Sequence, residues 1–557
     1  MSLTEKSIFS CLIAVLAIGM FILISKINEK ISITVPKQGG TLIEGLIGSP
    51  RFVNPLLSLS DADRDLTSLV YSGLLKVTPE GELAPDLAAS YNVSESGLEY
   101  RFTLKDNIYF QDGHPVTADD FIFTVQRAQD PNLKSPRRAS FEGVTMEKIN
   151  DREIKINLKQ PYAPFLENMT LGVLPKHLWK DIEPEQFPFS ELNVKPVGSG
   201  PYSVNKVNRD SSGVPLSYTL SAFKKYDSGA PFVKKIIFRF FANEERLLDA
   251  YGKGEIQAAN SISPDKAPLI LKLGGVLVKS PLPRVFGVFF NQNQTTIFAD
   301  REVRAALDKA INKKLIVEEI LRGYGTPLDS PIPPDVFLKT ESSTTPPDFQ
   351  GDEKTAKDIL LKAGWKLNAQ EGVLEKKTKA STEKLSFSLA TSNAAELKAV
   401  AELIKVAWER LGAKVELKIF EPGDLNQNVI RPRKYDALLF GEIVGRDLDL
   451  FAFWHSSQRN DPGLNIALYT NIKTDKLLEE ARTIQDNKVR LKKYEEFEAE
   501  IKREIPVVFL YAPDFIYAVP KKIKGLKISR VTVPADRFLR IEKWFIETEK
   551  VWRIFAK

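Results

Sequence analysis

Residues 97–121 read GLEYRFTLKDNIYFQDGHPVTADDF, and the fold is decided in this stretch. Leu98, Tyr100, Phe102 and Leu104 alternate with Glu99, Arg101, Thr103 and Lys105, the period of a strand with one buried face. Lys105-Asp106-Asn107 then turns the chain, Ile108 to Phe110 extends it again, and Asp112-Gly113 makes a second tight turn. Thr117, with Asp120 three residues on, has the pattern of an N-cap hydroxyl and a carboxylate near the positive end of a helix. Phe121, Val125 and Ala128 give that helix an apolar stripe, and Asp130-Pro131 stops it. By itself the segment is a strand, a hairpin-like turn and a capped helix, without catalytic chemistry.

Outward from it, strand-patterned runs alternate with helical ones. Lys235 to Phe240 precedes a helix from Asn243 to Tyr251, and Val415 to Phe420 follows one from Ala394 to Leu411. The latter places Leu397, Val400, Ala401, Ile404, Ala407, Trp408 and Leu411 on one side and ends at Gly412. Such alternation marks α/β layers. A chain of 557 residues exceeds one hydrophobic core, so two or three domains are expected. Its 78 basic and 72 acidic residues leave only +6, spread along the chain without an arginine-rich stripe or stacking motif, so nucleic acid is not an expected partner. Gly325 to Gly351 is rich in Pro, Ser and Thr and reads as an exposed loop.

The N-terminus carries an uncharged apolar run, Ile8 to Ile24, at the short end of what spans a bilayer. Ser25-Lys26-Ile27-Asn28-Glu29-Lys30 offers no small-residue cleavage site. Cys11, the single cysteine, precedes most of the run instead of following it as in a lipoprotein. Residues 1–30 therefore read as an uncleaved transmembrane helix and 31–36 as a tether. Lys6 on one side faces Lys26 and Lys30 on the other, so charge does not fix the orientation.

As a string, 97–121 resembles the signature of the extracytoplasmic solute-binding proteins of ABC importers, peptide-binding type (bacterial family 5). Gly39-Gly40-Thr41-Leu42, Asn54-Pro55-Leu56, Tyr71-Ser72-Gly73-Leu74 and Pro85-Asp86-Leu87-Ala88 resemble the family's early blocks, with Tyr91 where Trp is usual. Leu174-Pro175-Lys176-His177 and Pro196 to Tyr202 are similar to two more. Phe290-Asn291, Val303 to Leu307, Ala363-Gly364-Trp365, Tyr435-Asp436-Ala437, Phe453 to Ser457 and Glu504-Ile505-Pro506 continue the series in order.

The resemblance implies an α/β fold of the type II periplasmic-binding-protein kind, two lobes hinged around a ligand, with an extra domain on the first lobe. Carried onto this chain, the first lobe is 37–60 with 196–285 and 516–557, the extra domain 61–195 and the second lobe 286–515, with crossings near 285 and 515. It implies a monomeric receptor, not an enzyme. On this expectation the receptor is anchored in the plasma membrane by its N-terminal helix with its main domain extracytoplasmic, and the resemblance implies that it captures peptides by lobe closure and delivers them to an ABC permease. The alternative is a sensory or scaffold protein of the cell surface that keeps the fold without transport.

The residues themselves offer little for catalysis. No G-x-S-x-G and no P-loop occurs, and Gly198-Ser199-Gly200-Pro201 reads as a tight turn into the Tyr202 strand. His114, His177 and His455 have no histidine at i+3 or i+4, so neither a metal site nor a cofactor is expected. For binding, the strand Tyr435 to Phe440 runs into Gly441-Glu442-Ile443-Val444-Gly445-Arg446-Asp447-Leu448-Asp449, a glycine- and carboxylate-bearing loop at a strand end. By resemblance, an aspartate here pairs with the α-ammonium of a bound peptide, and Asp447 or Asp449 is the match. Glu442 stands where relatives have Trp, and Asp447-Leu448-Asp449 where Asp-Pro-Asp is usual. Asp449 also reads as the cap of a helix from Leu450 to His455, whose Phe451, Phe453 and Trp454 read as core, with Trp454 carried as the one nearest a cleft. Position in the family pattern alone adds Asn54, Tyr71, Arg284 and Asn291. Arg284 suits a ligand carboxylate, as Arg137-Arg138 also would.

Overall fold

The computed structural model describes residues 12–22, 26, 32–333, 349–379 and 381–552. Residues 12–22 are helical and exposed, and no helix among the described residues is long and apolar enough to cross a membrane. The ends of the run Ile8 to Ile24, and most of the expected anchor 1–30, lie outside the described residues. The expected tether is a strand instead: Ser32–Lys37 pairs antiparallel with Glu547–Trp552.

Twelve strands of the described residues form one continuous sheet. Five of them carry the argument: β1 (Gly39–Ile47), β2 (Val233–Phe241), β3 (Arg284–Phe290), β4 (Ala437–Ile443) and β5 (Val507–Val519). β1 and β2 are parallel, and β3 lies antiparallel between β4 and β5. The first half of β5, Val507 to Tyr511, pairs with β3, while Asp514 to Val519 pairs with Val276–Pro281. One strand thus serves both halves of the molecule, and the chain crosses between them at Pro281 to Arg284 and again near Pro513. Gly325–Pro327, expected as loop, is a short strand on Tyr511 to Pro513; residues 334–348 lie outside the described part.

Side-chain alternation along β3 explains why its half has two cores. Val288 and Phe290 enter one with Trp365 and Trp408, and Val285 and Phe289 enter the other with Trp454 and Phe509. The helix Ala395–Arg410 links the parallel strands Ser386–Ser392 and Lys414–Phe420, burying Leu397, Val400, Ile404 and Trp408. Ser386–Ser392 is buried at six successive positions, as a parallel strand covered on both faces must be.

The other half has a core that extends beyond the main sheet. Leu42, Tyr202, Phe238 and Trp544 pack in one cluster with Tyr100, Phe102, Phe121 and Trp179. A four-stranded antiparallel sheet (Ala88–Val93, Glu99–Leu104, Glu153–Asn157, Thr145–Asn150) therefore packs into the same core as the main sheet. In its strand Glu99–Leu104, Tyr100, Phe102 and Leu104 are buried and Arg101 is exposed. After it, the backbone N and Oγ1 of Thr117 both donate to Asp120 Oδ2 at 2.9 Å, capping α1 (Ala118–Gln129). The other Asp120 oxygen accepts Lys176 N at 2.9 Å and holds the start of α2 (Lys176–Trp179).

Gln111 joins this segment to the main sheet. Its amide nitrogen reaches the carbonyls of Val70, Gly200 and Tyr202 at 3.1, 3.3 and 2.8 Å, and its oxygen accepts Gly198 N at 3.1 Å. The approach is possible because Gly198 and Gly200 have no Cβ: one added there would lie 2.1 Å from Val70 O and 2.6 Å from Val70 C. The glycine-rich turn is a docking seam between two strands of chain.

Candidate functional site

Two cavities open between the halves. The larger, 860 Å³, is walled by Tyr91, Leu166 and Glu167 on one side and by Arg446, Asp447 and Arg490 on the other, with Pro281 and Pro283 at the crossing. The second, 560 Å³, is lined by Arg64, Tyr71, Arg137 and Asp536 opposite Ile443 and Arg446. Arg446, Glu167 and Thr532 line both, so a thin charged partition separates them.

That partition is built by the loop leaving β4. Arg446 Nη1 lies 3.2 Å from Glu167 and Nη2 2.8 Å from Asp536, whose Oδ2 also accepts Thr532 N and Val533 N. Both carboxylates belong to the opposite half. Two residues on, Leu448 is in the left-handed region (φ 52) and buried, which turns Asp447 and Asp449 to different surroundings.

Asp449 is fully engaged. Its Oδ2 accepts the Tyr162 hydroxyl at 2.9 Å and lies 3.2 Å from Arg482 Nε, and its Oδ1 accepts Phe451 N at 3.3 Å. Arg482 in turn covers the Phe451 and Tyr162 rings at 4.3 and 5.1 Å. One carboxylate thus accepts the first backbone N–H of the following turn and makes a contact across the cleft, while the N-cap position itself is Leu450 and not the expected Asp449. The helix it begins is a single turn, α3 (Phe451–Trp454), shorter than the reading from Leu450 to His455.

Asp447 is the opposite case. It is half-buried in the cavity wall, and its Oδ2, shielded from solvent, has no hydrogen-bond partner among the described residues. Burial pushes its carboxyl up to about 7, with Glu167 adding to the rise and Arg490 and Arg446 opposing it. A carboxylate in this state gains from any cation that enters the cavity.

The remaining candidates divide by where the fold places them. Tyr71 lines the second cavity with its hydroxyl unpartnered among the described residues, and burial raises that hydroxyl far above its usual range. Arg137, exposed to solvent, lines it too; Arg138 does not line either cavity. Arg284 opens β3, half-buried, with Nε unpartnered among the described residues and Asp61, Arg64 and Glu396 around it. Glu442 lines neither cavity: it is buried in β4 opposite Val285, one oxygen unpartnered among the described residues, and burial raises its carboxyl well above the ordinary range.

Trp454, 1% exposed, packs against Tyr469, Phe497 and Phe509, which is core and not cleft. Asn54 donates to Asn193 Oδ1 at 3.0 Å and accepts Leu56 N at 2.9 Å. Asn291 donates to Arg433 O and accepts Asn293 N and Gln294 N. Both asparagines spend their amides on internal turns. Sequence reasoning missed Arg446, Glu167, Arg490 and Tyr162. Arg446 alone carried a local signal, the one cation amid the loop's three carboxylates.

Residues 82–463 match the family described as bacterial extracellular solute-binding proteins, family 5. The chain is 29% identical over 535 residues to the oligopeptide-binding protein AppA of Bacillus subtilis, covering 94% of each chain. The structure of that AppA in complex with a nonapeptide has a TM-score of 0.71 at 28% identity, covering 92% of this chain and all of its own. NikZ from Campylobacter jejuni, in complex with Ni(L-His), has a TM-score of 0.73 at 26% identity, and the ABC transporter substrate-binding protein CtaP of Listeria monocytogenes 0.78 at 25%. Both comparisons cover 92% of this chain and all of the other. The shared architecture is the α/β type II periplasmic binding protein fold. The family is one of transport receptors, not of enzymes.

Proposed function

The chain belongs to the bacterial extracellular solute-binding proteins of family 5, and from that premise we propose that it captures peptides between its halves and delivers them to an ABC permease, tethered to the membrane by residues 1–30. One observation carries the peptide reading: half-buried Asp447, in the wall of an 860 Å³ cavity, has a solvent-shielded Oδ2 without a hydrogen-bond partner among the described residues. The α-ammonium of a peptide supplies the missing charge and returns Asp447 to its ionised form. Asp449 is not the ammonium partner in this reading, because Tyr162, Arg482 and Phe451 N already occupy its oxygens. It acts as a latch, as Arg446 does toward Glu167 and Asp536.

The second cavity suits the other end of the ligand. Arg64 and Arg137 present guanidinium groups, and Tyr71 an unpartnered hydroxyl, to a terminal carboxylate or an acidic side chain. At 860 Å³ the main cavity is near the top of the roughly 300–1,000 Å³ range of small-ligand sites, room for a short peptide. Closure follows from ligand affinity for the state in which both walls meet it.

The test is calorimetry with tripeptides, longer peptides and nickel–histidine complexes, each peptide also with an acetylated amino terminus. Free-amine peptides are expected to bind and to make the molecule more compact in solution scattering, and acetylation is expected to abolish both effects. Equal affinity for acetylated and free peptides would remove Asp447 from the role; binding of the nickel complex alone would replace peptide as the ligand class.

A further inference from the structure

Away from both cavities, three metal-ligating side chains come together that the sequence keeps 65 residues apart at the extremes. Asp112 and His114 sit on the hairpin closed by the Tyr109–Pro115 bridge, where Phe110 N donates to His114 O at 2.8 Å and Asp112 Oδ1 accepts His114 N at 3.1 Å. His177 is on α2. The His114 and His177 rings stack with centroids 4.0 Å apart. Asp112 contacts a nitrogen of each ring, with Oδ2 2.7 Å from His177 Nε2 and Oδ1 3.3 Å from His114 Nδ1. One donor atom from each of the three falls within 4.8 Å of the others.

We propose that Asp112, His114 and His177 bind a divalent first-row transition metal ion of the nickel, copper or zinc class. Two imidazole nitrogens and one carboxylate oxygen are a donor set that these borderline ions prefer over magnesium or calcium. Metal–nitrogen bonds of about 2.0–2.1 Å need donors roughly 3.3 Å apart, so the present spread of up to 4.8 Å closes when side-chain rotation brings the donors up to about 1.5 Å nearer one another. Both histidines and Asp112 reach solvent, which leaves room for that rotation and for water ligands. The frame beneath them is fixed. Asp120 holds Lys176 N, Trp179 is 1% exposed, and the buried Phe110 lies against the His177 ring with centroids 5.9 Å apart. The nearby Lys176 ammonium is turned to Asp119 at 3.3 Å and does not compete for Asp112. Bound metal would clip the hairpin that carries Gln111 to α2, and so stabilise the extra sheet's attachment to the main one.

The full chain, without an added histidine tag and freed of metal by a chelator, is titrated with Ni²⁺, Zn²⁺ and Cu²⁺ in a non-coordinating buffer near pH 7.5. One equivalent of each is expected to bind and to raise the melting temperature, with Cu²⁺ tightest. H114A and H177A are each expected to weaken binding by about tenfold or more, since even outer-shell partners cost that much. H455A is expected to bind as the parent does, and peptide is not expected to displace the metal. Because His114 is exposed, H114A keeps the test decisive if H177A folds poorly. No binding by any of the three ions, binding unchanged in H114A, loss in H455A, or displacement by peptide would each overturn the site.

Discussion

Two arginines that each join two carboxylates, Arg537 and Arg446, do so with different results. Arg537 bonds Glu44 at 2.8 and 2.9 Å and Asp65 at 2.6 and 2.8 Å, with all three side chains at most 1% exposed. Tyr517 and Asn260 complete the carboxylates' partners. Burial still raises Glu44 and Asp65 above their ordinary range, with Arg537 opposing it. Arg446 makes one contact each to Glu167 and Asp536, with side chains 11–21% exposed, and it does so across a cavity wall. The first cluster has no route to water and is permanent. The second is reached by water on both sides, so its pairs can be exchanged for solvent when the halves part. The same pairing chemistry makes a rivet in one place and a catch in the other, and burial decides which.

Charge removal should separate the two most sharply. R537M leaves two buried carboxylates without a counter-charge and is expected to cost about 3–5 kcal/mol, read from the urea midpoint. R446M is expected to cost about 1 kcal/mol or less. Equal losses would break the comparison. Next in size, D447N is expected to weaken binding of a free-amine peptide by about 2–5 kcal/mol, a thirty-fold to several-thousand-fold change by calorimetry. D449N, which disturbs only the latch and the bond from Phe451 N, is expected to lose about 1 kcal/mol.

Smaller effects follow from the raised Asp447 carboxyl. With a value of about 7, its ionised fraction falls about tenfold between pH 8 and pH 6, while a peptide α-amine with a pKa of about 7.7–8.0 gains charge over the same interval, so peptide affinity is expected to fall about three- to fivefold, roughly 0.7–1 kcal/mol. D447N should lose this dependence. The smallest effect is on the fold itself. A carboxyl raised on folding leaves stability intact below its unfolded value, near 4, and removes it as the pH climbs through 7. D447N should therefore melt about 1–3 °C higher than the parent at pH 8 and no differently at pH 4. A variant that gains stability while losing ligand is the signature of a site held under electrostatic strain. Matched losses of both would point to an ordinary structural aspartate.

What the sequence made legible was local. The strand Glu99–Leu104, the Thr117–Asp120 cap and the helix Ala395–Arg410 follow from spacing within one segment, and each stands where the pattern places it. Gln111 left no such trace, because its partners are 41 to 91 residues away. For the same reason the sequence leaves Asp447 and Asp449 both open as the ammonium partner: the groups that occupy one and spare the other, Tyr162 and Arg482, arrive from elsewhere in the chain. Asn54 and Asn291 show the opposite difficulty. A polar residue at a strand end reads equally as ligand contact or as turn, and only the hydrogen-bond partners separate the two. The histidines were read by sequence spacing, a poor guide when a hairpin and a one-turn helix bring distant residues into register.

The Arg537 cluster has a further consequence in time. Glu44 and Asp65 leave the ribosome 493 and 472 residues ahead of the arginine that neutralises them. Until that residue is made, burying either carboxylate means burying a bare charge, so the half that begins the chain cannot close its core. The two cores around β3 draw every residue from Val285 to Ala512 and are free of this condition. Synthesis order and assembly order are therefore crossed, with the middle of the polypeptide competent first and its beginning last.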